Sequence, residues 1–369
     1  MSSPSYVLES STPTADLPEV RNRTRFPSQY FQMLDTDDHV FHVMVTRITY
    51  DLNRLDENGF PRLAKQQFEL VQTDEFYTGR HTSSIVQESD FSPYKPRCDV
   101  IFSHAFAYSP EEKPFNRWTA GVKIDKWDKV LMVCGPRVIR SGLLGWQLSE
   151  PEKATRVPIC HELAFGGTCR WPEKNDEDAD PEIFSRHELN PIGCGFLDKA
   201  WVKKTGKNEF RAPQIEVFNK AFDDGWLRGQ NYPVVGLGPI GRWWQPRVQL
   251  TGSYDHKWLE SRWPALPKDF DFSYWNCTPA DQQIDYPKGG ESITLFGLTP
   301  GGGYLRAKVP GNHPYSLVGL HAGPVLERPM HLDTLIFDMQ KMTLTCVHRT
   351  NIAANAGIKM IEVLQRTQE

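Results

Sequence analysis

Short runs of apolar and β-branched residues, separated by polar turns rich in Gly, Pro and Asn, recur along most of this 369-residue chain. The first long run, residues 39–52, is apolar on both of its alternating faces, which predicts a strand buried on both sides. Other runs predict further strands at residues 67–72, 98–108, 115–124, 129–139, 214–218, 316–320, 334–338 and 342–347, and two more within 289–311. Residues 76–91 and 358–365 fit either a strand or a short helix.

Turn-forming residues join several of these runs. Asn58-Gly59 supplies the positive φ that a tight turn needs after the first strand. Residues 125–128 join two runs into a hairpin, and residues 300–303 separate the two strands within 289–311. With roughly a dozen strand candidates and little convincing helix, the chain is predicted to be mainly β, a large antiparallel β-sandwich or barrel-like scaffold with long ordered loops.

The ends and one insert depart from this pattern. Residues 1–28 are rich in Ser, Thr and Pro and are predicted to form a flexible N-terminal arm. Residues 29–369 are predicted to form a single β-rich domain, with one candidate internal boundary near 170–235. Residues 172–188 are a charged insert that we expect to be an exposed loop, and the sequence does not indicate its role.

The chain is organised around a tryptophan-dense stretch, residues 242–285. It holds five of the eleven Trp, namely Trp243, Trp244, Trp258, Trp263 and Trp275. It also contains Pro246, Pro264, Pro267 and Pro279. So many Pro exclude one continuous helix, and the stretch lacks the alternation of a long strand. It is therefore predicted to be a connection of fixed shape, held by its aromatic rings.

Two interpretations of this stretch compete. In the first, its Trp side chains fill the main core at a structural corner, each ring removing ~150–250 Å² from water. In the second, its aromatic and Arg side chains form a surface that grips another polypeptide, because Trp, Tyr and Arg are enriched at binding hot spots. Both hold if the inner rings pack and the outer rings bind.

Composition limits the class of partner and the compartment. The net charge is -4, from 42 basic and 46 acidic residues, which argues against a general binder of nucleic acid or membrane surfaces. No apolar run approaches ~18 residues, and the first residues lack a signal-peptide pattern, so a cytoplasmic protein is predicted. The seven Cys are scattered and odd in number, which fits a reducing compartment.

Two motifs suggest chemistry but lack the required context. Residues 236–241 match the dinucleotide-binding fingerprint, yet the residues that follow, RWWQP, will not propagate the helix that the fingerprint needs. His161-Glu162 begins like a zinc-protease helix, but Phe165 stands where the second His is needed.

A zinc site is a third candidate. Cys160, Cys169 and Cys194, with His161 and His187, would supply suitable ligands if the fold gathered them. None of the closely spaced Cys pairs that mark such sites is present, so buried free thiols are the favoured interpretation. No catalytic residue, metal or cofactor is predicted.

Four phrases together resemble one bacterial family. They are HELAFGG (His161–Gly167), NPIGCGF (Asn190–Phe196), residues 238–272, and WNCTPADQQ (Trp275–Gln283). Their order and spacing are similar to the domain-of-unknown-function family numbered 2169, which is found in type VI secretion gene clusters, and the likeness spans roughly residues 40–350. The chain departs from that pattern at Leu163, Ser253 and Thr278, where the family has Arg, Thr and Ala.

The resemblance implies a non-enzymatic adaptor or chaperone. Such a protein holds a type VI effector, a toxin, in the cytoplasm and helps to load it onto the secretion spike, so the spike protein and its cap domain are further expected partners. Neither nucleic acid nor a membrane is expected as a partner. The residues predicted to contact a partner are Arg242, Trp243, Trp244, Arg247, Tyr254, Trp258, Arg262 and Trp263. An exposed sheet edge could add a strand to the client.

Two other functions stay open on the sequence. One is a carbohydrate-active or other hydrolase, in which aromatic platforms would lie beside carboxylates, drawn from Asp255, Glu260, Asp269, Asp271 and Asp281. That chemistry needs two carboxyl groups ~5–10 Å apart across a cleft. The other is a structural component that travels with the spike.

Overall fold

The computed structural model describes residues 17–143, 145–171, 182–223, 225, 232–353 and 357–366. Most of these residues form strands or ordered connections, and helices are few and short. The two α-helices in these ranges are α1 (Lys199–Thr205) and α2 (His256–Ser261). The strands are β1 (Glu19–Asn22), β2 (Ser28–Leu34), β3 (Val40–Leu55), β4 (Pro61–Leu63), β5 (Glu75–Phe76), β6 (Ile85–Gln87), β7 (Cys98–Ser103), β8 (Phe106–Tyr108), β9 (Arg117–Ile124), β10 (Trp127–Cys134), β11 (Val138–Gly142), β12 (Gly145–Leu148), β13 (Arg156–Pro158), β14 (Phe165–Gly166), β15 (Thr168–Trp171), β16 (Glu182–Arg186), β17 (Cys194–Gly195), β18 (Glu209–Arg211), β19 (Ile215–Val217), β20 (Gln283–Ile284), β21 (Ser292–Phe296), β22 (Tyr304–Lys308), β23 (Pro314–Leu320), β24 (Leu326–Pro329), β25 (His331–Asp338), β26 (Thr343–Ala353) and β27 (Ile358–Gln365).

The largest sheet has seven strands and is mixed. Its order is β2-β3-β26-β25-β7-β20, with β4 paired to the far part of β3. Only β7 and β25 run parallel within it, and the other neighbours are antiparallel. Successive side chains point to opposite faces of a strand, so each face of this sheet presents its own set of buried residues.

The main core lies between this sheet and a five-stranded antiparallel sheet of order β19-β10-β9-β21-β22. Ile48, Phe102 and Phe337 of the large sheet pack toward Val122 and Leu131 of the smaller one. The rings of Phe102 and Phe337 stack with their centroids 4.7 Å apart. These two layers form the predicted sandwich.

A third sheet covers the other end of the same face. Its order is β1-β27-β23-β24, and Val318 and Ile361 pack against Met44 of β3. β1 joins it in parallel with β27, so the last residues of the predicted N-terminal arm include a strand, whereas residues 1–16 lie outside the described ranges. All these sheets are open, and none closes into a barrel within the ranges given above.

Predictions from local pattern are largely confirmed. The buried run at 39–52 is β3, the hairpin at 115–139 is β9 and β10, and 289–311 holds β21 and β22. Residues 358–365 form a strand, β27, and 76–91 contains the short hairpin β5–β6. Part of the charged insert, residues 172–181, lies outside the described ranges, and Glu182–Arg186 follows as β16.

Residues 67–72 were predicted as a strand, and this was wrong. Hydrogen bonds between side chains and backbone hold these residues, in place of the backbone-to-backbone hydrogen bonds that join neighbouring strands. The Gln67 amide donates to the Thr49 carbonyl at 2.9 Å and accepts from the Thr49 N–H at 2.8 Å. The Val71 N–H donates to the Asp90 carboxylate at 2.8 Å. The hydrophobic pattern of the sequence does not indicate side-chain partners of this kind.

Two other differences are a break in a strand and two short helices. The run at 98–108 is broken into β7 and β8 at His104, whose φ is +51°. The two α-helices were not predicted, although both carry an N-cap Asp: the carboxylate of Asp198 accepts from the Trp201 N–H at 2.9 Å, and that of Asp255 from the Trp258 N–H at 2.8 Å. Across the described residues, no helix has the length and apolar character needed to cross a membrane.

Two neighbouring His side chains lie in the interior, His348 fully buried and His313 partly buried. His348 of β26 and His313, just before β23, approach with Nε2 and Nδ1 3.1 Å apart. Burial lowers the pKa of both rings, well below the ordinary value for His348. Both rings are therefore neutral in the folded chain near neutral pH, whereas the unfolded chain binds protons on them below about pH 6.5.

This pair predicts a loss of stability in mild acid. Since the unfolded state binds more protons, the free energy of unfolding should fall as pH decreases from about 7.5 to 5.5, by up to ~1.4 kcal/mol per pH unit for each such His. His348→Gln should make this fall smaller. The measurement is urea denaturation across that pH range, with the exposed His256→Gln as the matched control. An unchanged slope in His348→Gln would contradict the assignment.

Candidate polypeptide-binding surface

The tryptophan-dense stretch covers the face of the seven-stranded sheet that looks away from the main core. Cys277 packs there with Val45, Ile101 and Val347. The stretch is joined to the residues before it by a hydrogen bond from the Ile240 N–H to the Cys277 carbonyl at 2.8 Å. The large sheet is thus buried on both faces, as the apolar pattern of β3 predicted.

A buried ion pair fixes the first part of this stretch. The Arg247 guanidinium is removed from solvent and binds the carboxylate of Glu88, which is also buried. The remaining Arg247 donors reach the carbonyl oxygens of Ile240 at 2.7 Å and Tyr274 at 2.9 Å. Arg242 adds a partly exposed contact to Asp74 at 3.1 Å. The fork geometry of Arg lets one side chain hold several turns of chain together.

A second buried pair fixes the end of the stretch. Lys95 Nζ lies 2.8 Å from the Asp99 carboxylate of β7 and 3.0 Å from Thr334 Oγ1. Asp99 also accepts from the Cys277 N–H at 3.0 Å and from Thr278 Oγ1 at 2.6 Å. Burial alone would raise the pKa of Asp99, but the Lys95 charge and these hydrogen bonds lower it, so the carboxylate is ionised.

Further buried charges complete the layer. Arg47 of β3 binds Asp90 at 2.9 Å, and Arg349 of β26 binds Asp333 and the Asp90 carbonyl. The interface between the sheet and its covering segments is therefore polar as well as apolar. We call the set Arg47, Glu88, Asp90, Lys95, Asp99, Arg247, Asp333 and Arg349 the buried charge layer.

The glycine-rich loop at residues 236–241 serves packing. A Cβ at Gly236 would lie 2.9 Å from Cε1 of His161, and one at Gly241 would lie 2.6 Å from Nε1 of Trp244. The His161 ring meets the Trp244 ring edge-on, with centroids 5.3 Å apart, and its Nε2 is 3.0 Å from the Pro239 carbonyl. Residues 242–246, directly after the loop, form turns instead of the α-helix that the dinucleotide fingerprint needs.

The phrases HELAFGG and NPIGCGF contact each other. Asn190 is buried, and its Nδ2 donates to the carbonyl oxygens of His161 at 2.8 Å and Phe165 at 3.0 Å. Gly166 has φ +146°, and a Cβ there would lie 2.1 Å from the Asn190 carbonyl. β14 and β17, one from each phrase, pair in parallel. The two phrases therefore form one packed junction beneath Trp244.

The five residues considered as zinc ligands occupy separate environments. His161 contacts Pro239 and Trp244, whereas the His187 ring packs edge-on against Phe165. Burial raises the pKa of both Cys160 and Cys194 to about 12, which keeps these thiols protonated. In the parts of the chain that the structure describes, no three His, Cys, Asp or Glu side chains are arranged to hold a metal ion.

The outward side of the stretch carries large apolar side chains in solvent. Trp263 is 65% exposed, Leu259 58% and Tyr254 53%. Leu259 lies on α2, and Tyr254 and Trp263 flank its two ends. Trp258 packs edge-on against Tyr254, with ring centroids 4.7 Å apart. Its Nε1 donates to the Ala265 carbonyl at 2.8 Å. We call Tyr254, Leu259 and Trp263 the α2 surface. Trp243 and Val248 are exposed elsewhere in the same stretch.

The eight residues predicted to contact a partner fall into three groups. Trp243, Tyr254 and Trp263 are exposed, and Arg242, Trp258 and Arg262 are partly exposed. Trp244 and Arg247 are buried, so neither side chain is presented to solvent. The pattern of Trp and Arg did not indicate Leu259, which is exposed because Asp255 starts a helix that presents it outward.

The five carboxylates considered for hydrolysis have local roles. Asp255 and Asp271 cap short helical turns, and Asp269 accepts from the Ser253 N–H at 2.9 Å. Asp281 lies 2.8 Å from Lys129 Nζ, and Glu260 lies 3.2 Å from His256 on α2. Each carboxylate is therefore occupied in bracing a turn or pairing a neighbour.

Comparison with protein-family models assigns the chain to a family. A family model, described as an uncharacterized protein conserved in bacteria (DUF2169), matches residues 37–349. The chain belongs to the DUF2169 family. A search of the curated proteins and a search of the solved structures each gave no match. Residues 37–349 include the junction of the two phrases, the buried charge layer and the α2 surface.

The buried charge layer predicts a large cost for breaking one pair. Glu88→Gln leaves the Arg247 charge buried without its carboxylate, so the free energy of unfolding should fall by ~3–5 kcal/mol. Denaturant unfolding followed by Trp fluorescence measures it. The matched control is Glu209→Gln, which breaks an exposed pair with Arg140 and should cost less than ~1 kcal/mol.

Replacing both members of the buried pair distinguishes the cost of an unpaired buried charge from the cost of altered packing. Glu88→Leu with Arg247→Met removes the stranded charge, so the double variant should be more stable than Glu88→Gln. Equal stability of Glu88→Gln and Glu209→Gln would show that Arg247 does not depend on Glu88.

Proposed function

We propose that this DUF2169 protein is a non-enzymatic adaptor that binds a type VI secretion effector in the cytoplasm and helps to load it onto the secretion spike. The spike protein and its cap domain are the further partners in this proposal. The family resemblance in the sequence suggests the role, and the α2 surface supplies a place for it.

The observation that carries the proposal is the α2 surface itself. Its three large apolar side chains, Tyr254, Leu259 and Trp263, stand in solvent on one short helix and its flanks. Exposed apolar side chains that gather in one place on a soluble protein mark binding sites. Trp and Tyr are also the side chains that most often dominate protein interfaces.

The support beneath the α2 surface is rigid. Arg262 donates to the Leu266 carbonyl at 2.8 Å, to the Thr36 carbonyl at 3.1 Å and to Asp38 at 2.9 Å. Lys268 lies 2.9 Å from Asp37. These contacts attach the surface to the turn between β2 and β3, and a surface that is already ordered loses little entropy when it binds.

The same contacts place the α2 surface beside a sheet edge. β2 pairs only with β3 in the described part of the chain, so its outer edge has no strand neighbour there. An extended client segment could pair with this edge while its apolar side chains meet the α2 surface. The combination supports a polypeptide as the partner.

The geometry favours this role over the hydrolase alternative. A retaining or inverting glycosidase places two free carboxyl groups across a cleft, ~5–10 Å apart. Asp255, Asp269 and Asp271 instead accept hydrogen bonds from backbone N–H groups of their own turns. The structural-component alternative differs from an adaptor in one respect, since such a component leaves the cell with the spike.

The proposal predicts that the α2 surface holds the effector. Tyr254→Ser, Leu259→Ser and Trp263→Ser together should reduce co-purification of the effector from the native bacterium by at least ~30-fold, because truncating hot-spot side chains costs ~2–4 kcal/mol each. Thermal unfolding should change little, since all three side chains are exposed. Quantitative mass spectrometry of the captured proteins is the measurement.

The matched control is Tyr304→Ser with Val325→Ser, which removes exposed apolar side chains from β22 and from the connection just before β24. It should retain the effector at the wild-type level. The proposal fails if the wild-type protein captures no secreted protein or spike component, or if the α2 variant captures as much as the control. Detection of the protein itself in the medium after secretion would favour the structural-component alternative.

A further inference from the structure

A second concave site lies away from the α2 surface. It is a groove of about 800 Å³ between the β8–β13 ribbon, the β25–β26 turn and the 3-10 turn at His161–Leu163. Phe106, Tyr108, Leu163, Met339 and Met342 form its apolar walls, and Arg156 and Arg211 lie at its rim. We call this site the Met-aromatic groove.

The β8–β13 ribbon presents one face to the core and the other to the groove. Ala107 and Val157, which pair across the ribbon, are buried in the main core. Their neighbours alternate to the opposite face, so Phe106 and Tyr108 line the groove with Arg156. The aromatic side chains of this short ribbon are therefore partly in solvent because the core takes only every second residue.

The break before this ribbon has an unusual backbone. His104 is a non-glycine residue with φ +51°. Contacts to its backbone and to its side chain stabilise this conformation. Its N–H donates to the Tyr77 hydroxyl at 2.5 Å, and its Nδ1 lies 3.5 Å from Asp338. Tyr77 and His104 both line the groove. Such backbone conformations persist where surrounding contacts enforce them, and they concentrate at binding sites.

The rim of the groove carries positive charge without a carboxylate partner. In the described ranges, neither Arg156 nor Arg211 lies within ion-pair distance of an Asp or Glu, and the Arg156 guanidinium lies 5.2 Å from the centre of the Phe106 ring. Glu162 also lines the groove, but its carboxylate accepts from the Ser84 N–H at 2.8 Å and from the Ser84 hydroxyl. By contrast, Arg47, Arg137, Arg242, Arg247, Arg262 and Arg349 all pair with carboxylates.

We propose that the Met-aromatic groove binds a polypeptide segment in which an apolar side chain lies next to a carboxylate. The two Met side chains suit such a segment, because their flexible thioethers adapt to different apolar partners. The two Arg guanidinium groups would pair with its carboxylates at the rim. The inference rests on the proposed function, since the client would supply the segment, but it concerns a different surface.

The test uses short synthetic peptides and the full-length chain. The probe is fluorescein-labelled Ser-Asp-Leu-Phe-Glu-Ser, titrated with the protein and followed by fluorescence anisotropy. We expect saturable binding with one site. Replacing the two acids of the peptide by Asn and Gln, or Leu-Phe by Ser-Ser, should weaken binding by at least about tenfold, because each change removes one of the two kinds of contact.

Variants of the protein then locate the site. Arg156→Glu with Arg211→Glu should weaken binding of the acidic peptide by at least about tenfold, since attraction becomes repulsion at the rim. The matched control is Arg328→Glu, an exposed Arg on β24 with no carboxylate partner in the described ranges, and it should bind like the wild type. All three positions are exposed, so circular dichroism should show an unchanged fold.

Each outcome decides the proposal. It is overturned if the probe does not bind, if the neutral peptide binds as tightly as the acidic one, or if the rim variant binds as tightly as Arg328→Glu. Failure of the adaptor role would be recognised separately, by the absence of any effector in the native pull-down. Conversely, effector capture through the α2 surface without peptide binding would reject only the groove.

Discussion

The fold depends on the buried charge layer between the seven-stranded sheet and the segments that cover its outer face. Apolar contact alone would let those segments shift along the sheet, since the hydrophobic effect has no direction. Arg247 instead requires the Glu88 carboxylate and two particular carbonyl oxygens at the same time. Asp99 likewise requires Lys95 and the backbone of Cys277. Because each charge is costly to bury without its partner, these contacts define the position of the covering chain.

This constraint explains why one stretch of chain has two different sides. Its inner side chains, Trp244 and Arg247, complete the interior of the protein, while Tyr254 and Trp263 stand in solvent. The first interpretation is confirmed for Trp244, which is buried, whereas the outer rings are exposed and their binding to another polypeptide stays a prediction. Trp243 and Trp244 are adjacent yet have opposite exposure, because the Trp244 ring packs on Gly241 and His161 while Trp243 faces Phe76 and His81.

The sequence was informative wherever the determining contacts are local or periodic. β3, the β9–β10 hairpin and the β21–β22 hairpin follow from alternation and turn residues within each segment. The break at His104 and the loss of a strand at residues 67–72 depend on partners distant in the chain, such as Asp338 and Asp90. The exposure of individual Trp residues and the partners of individual Arg residues depend in the same way on tertiary contacts, which composition cannot supply.

The Met-aromatic groove and the start of the tryptophan-dense stretch are connected through one short turn. His161 packs beneath Trp244 at the start of the tryptophan-dense stretch, while Leu163, two residues later, lines the groove. Asn190 holds the backbone of this turn from below. The groove and the tryptophan-dense stretch, which carries the α2 surface, therefore share one packed junction. In the adaptor role that we propose, a client that reached both would gain the effective concentration of a linked, two-point interaction, so each contact could be weak and still retain the client.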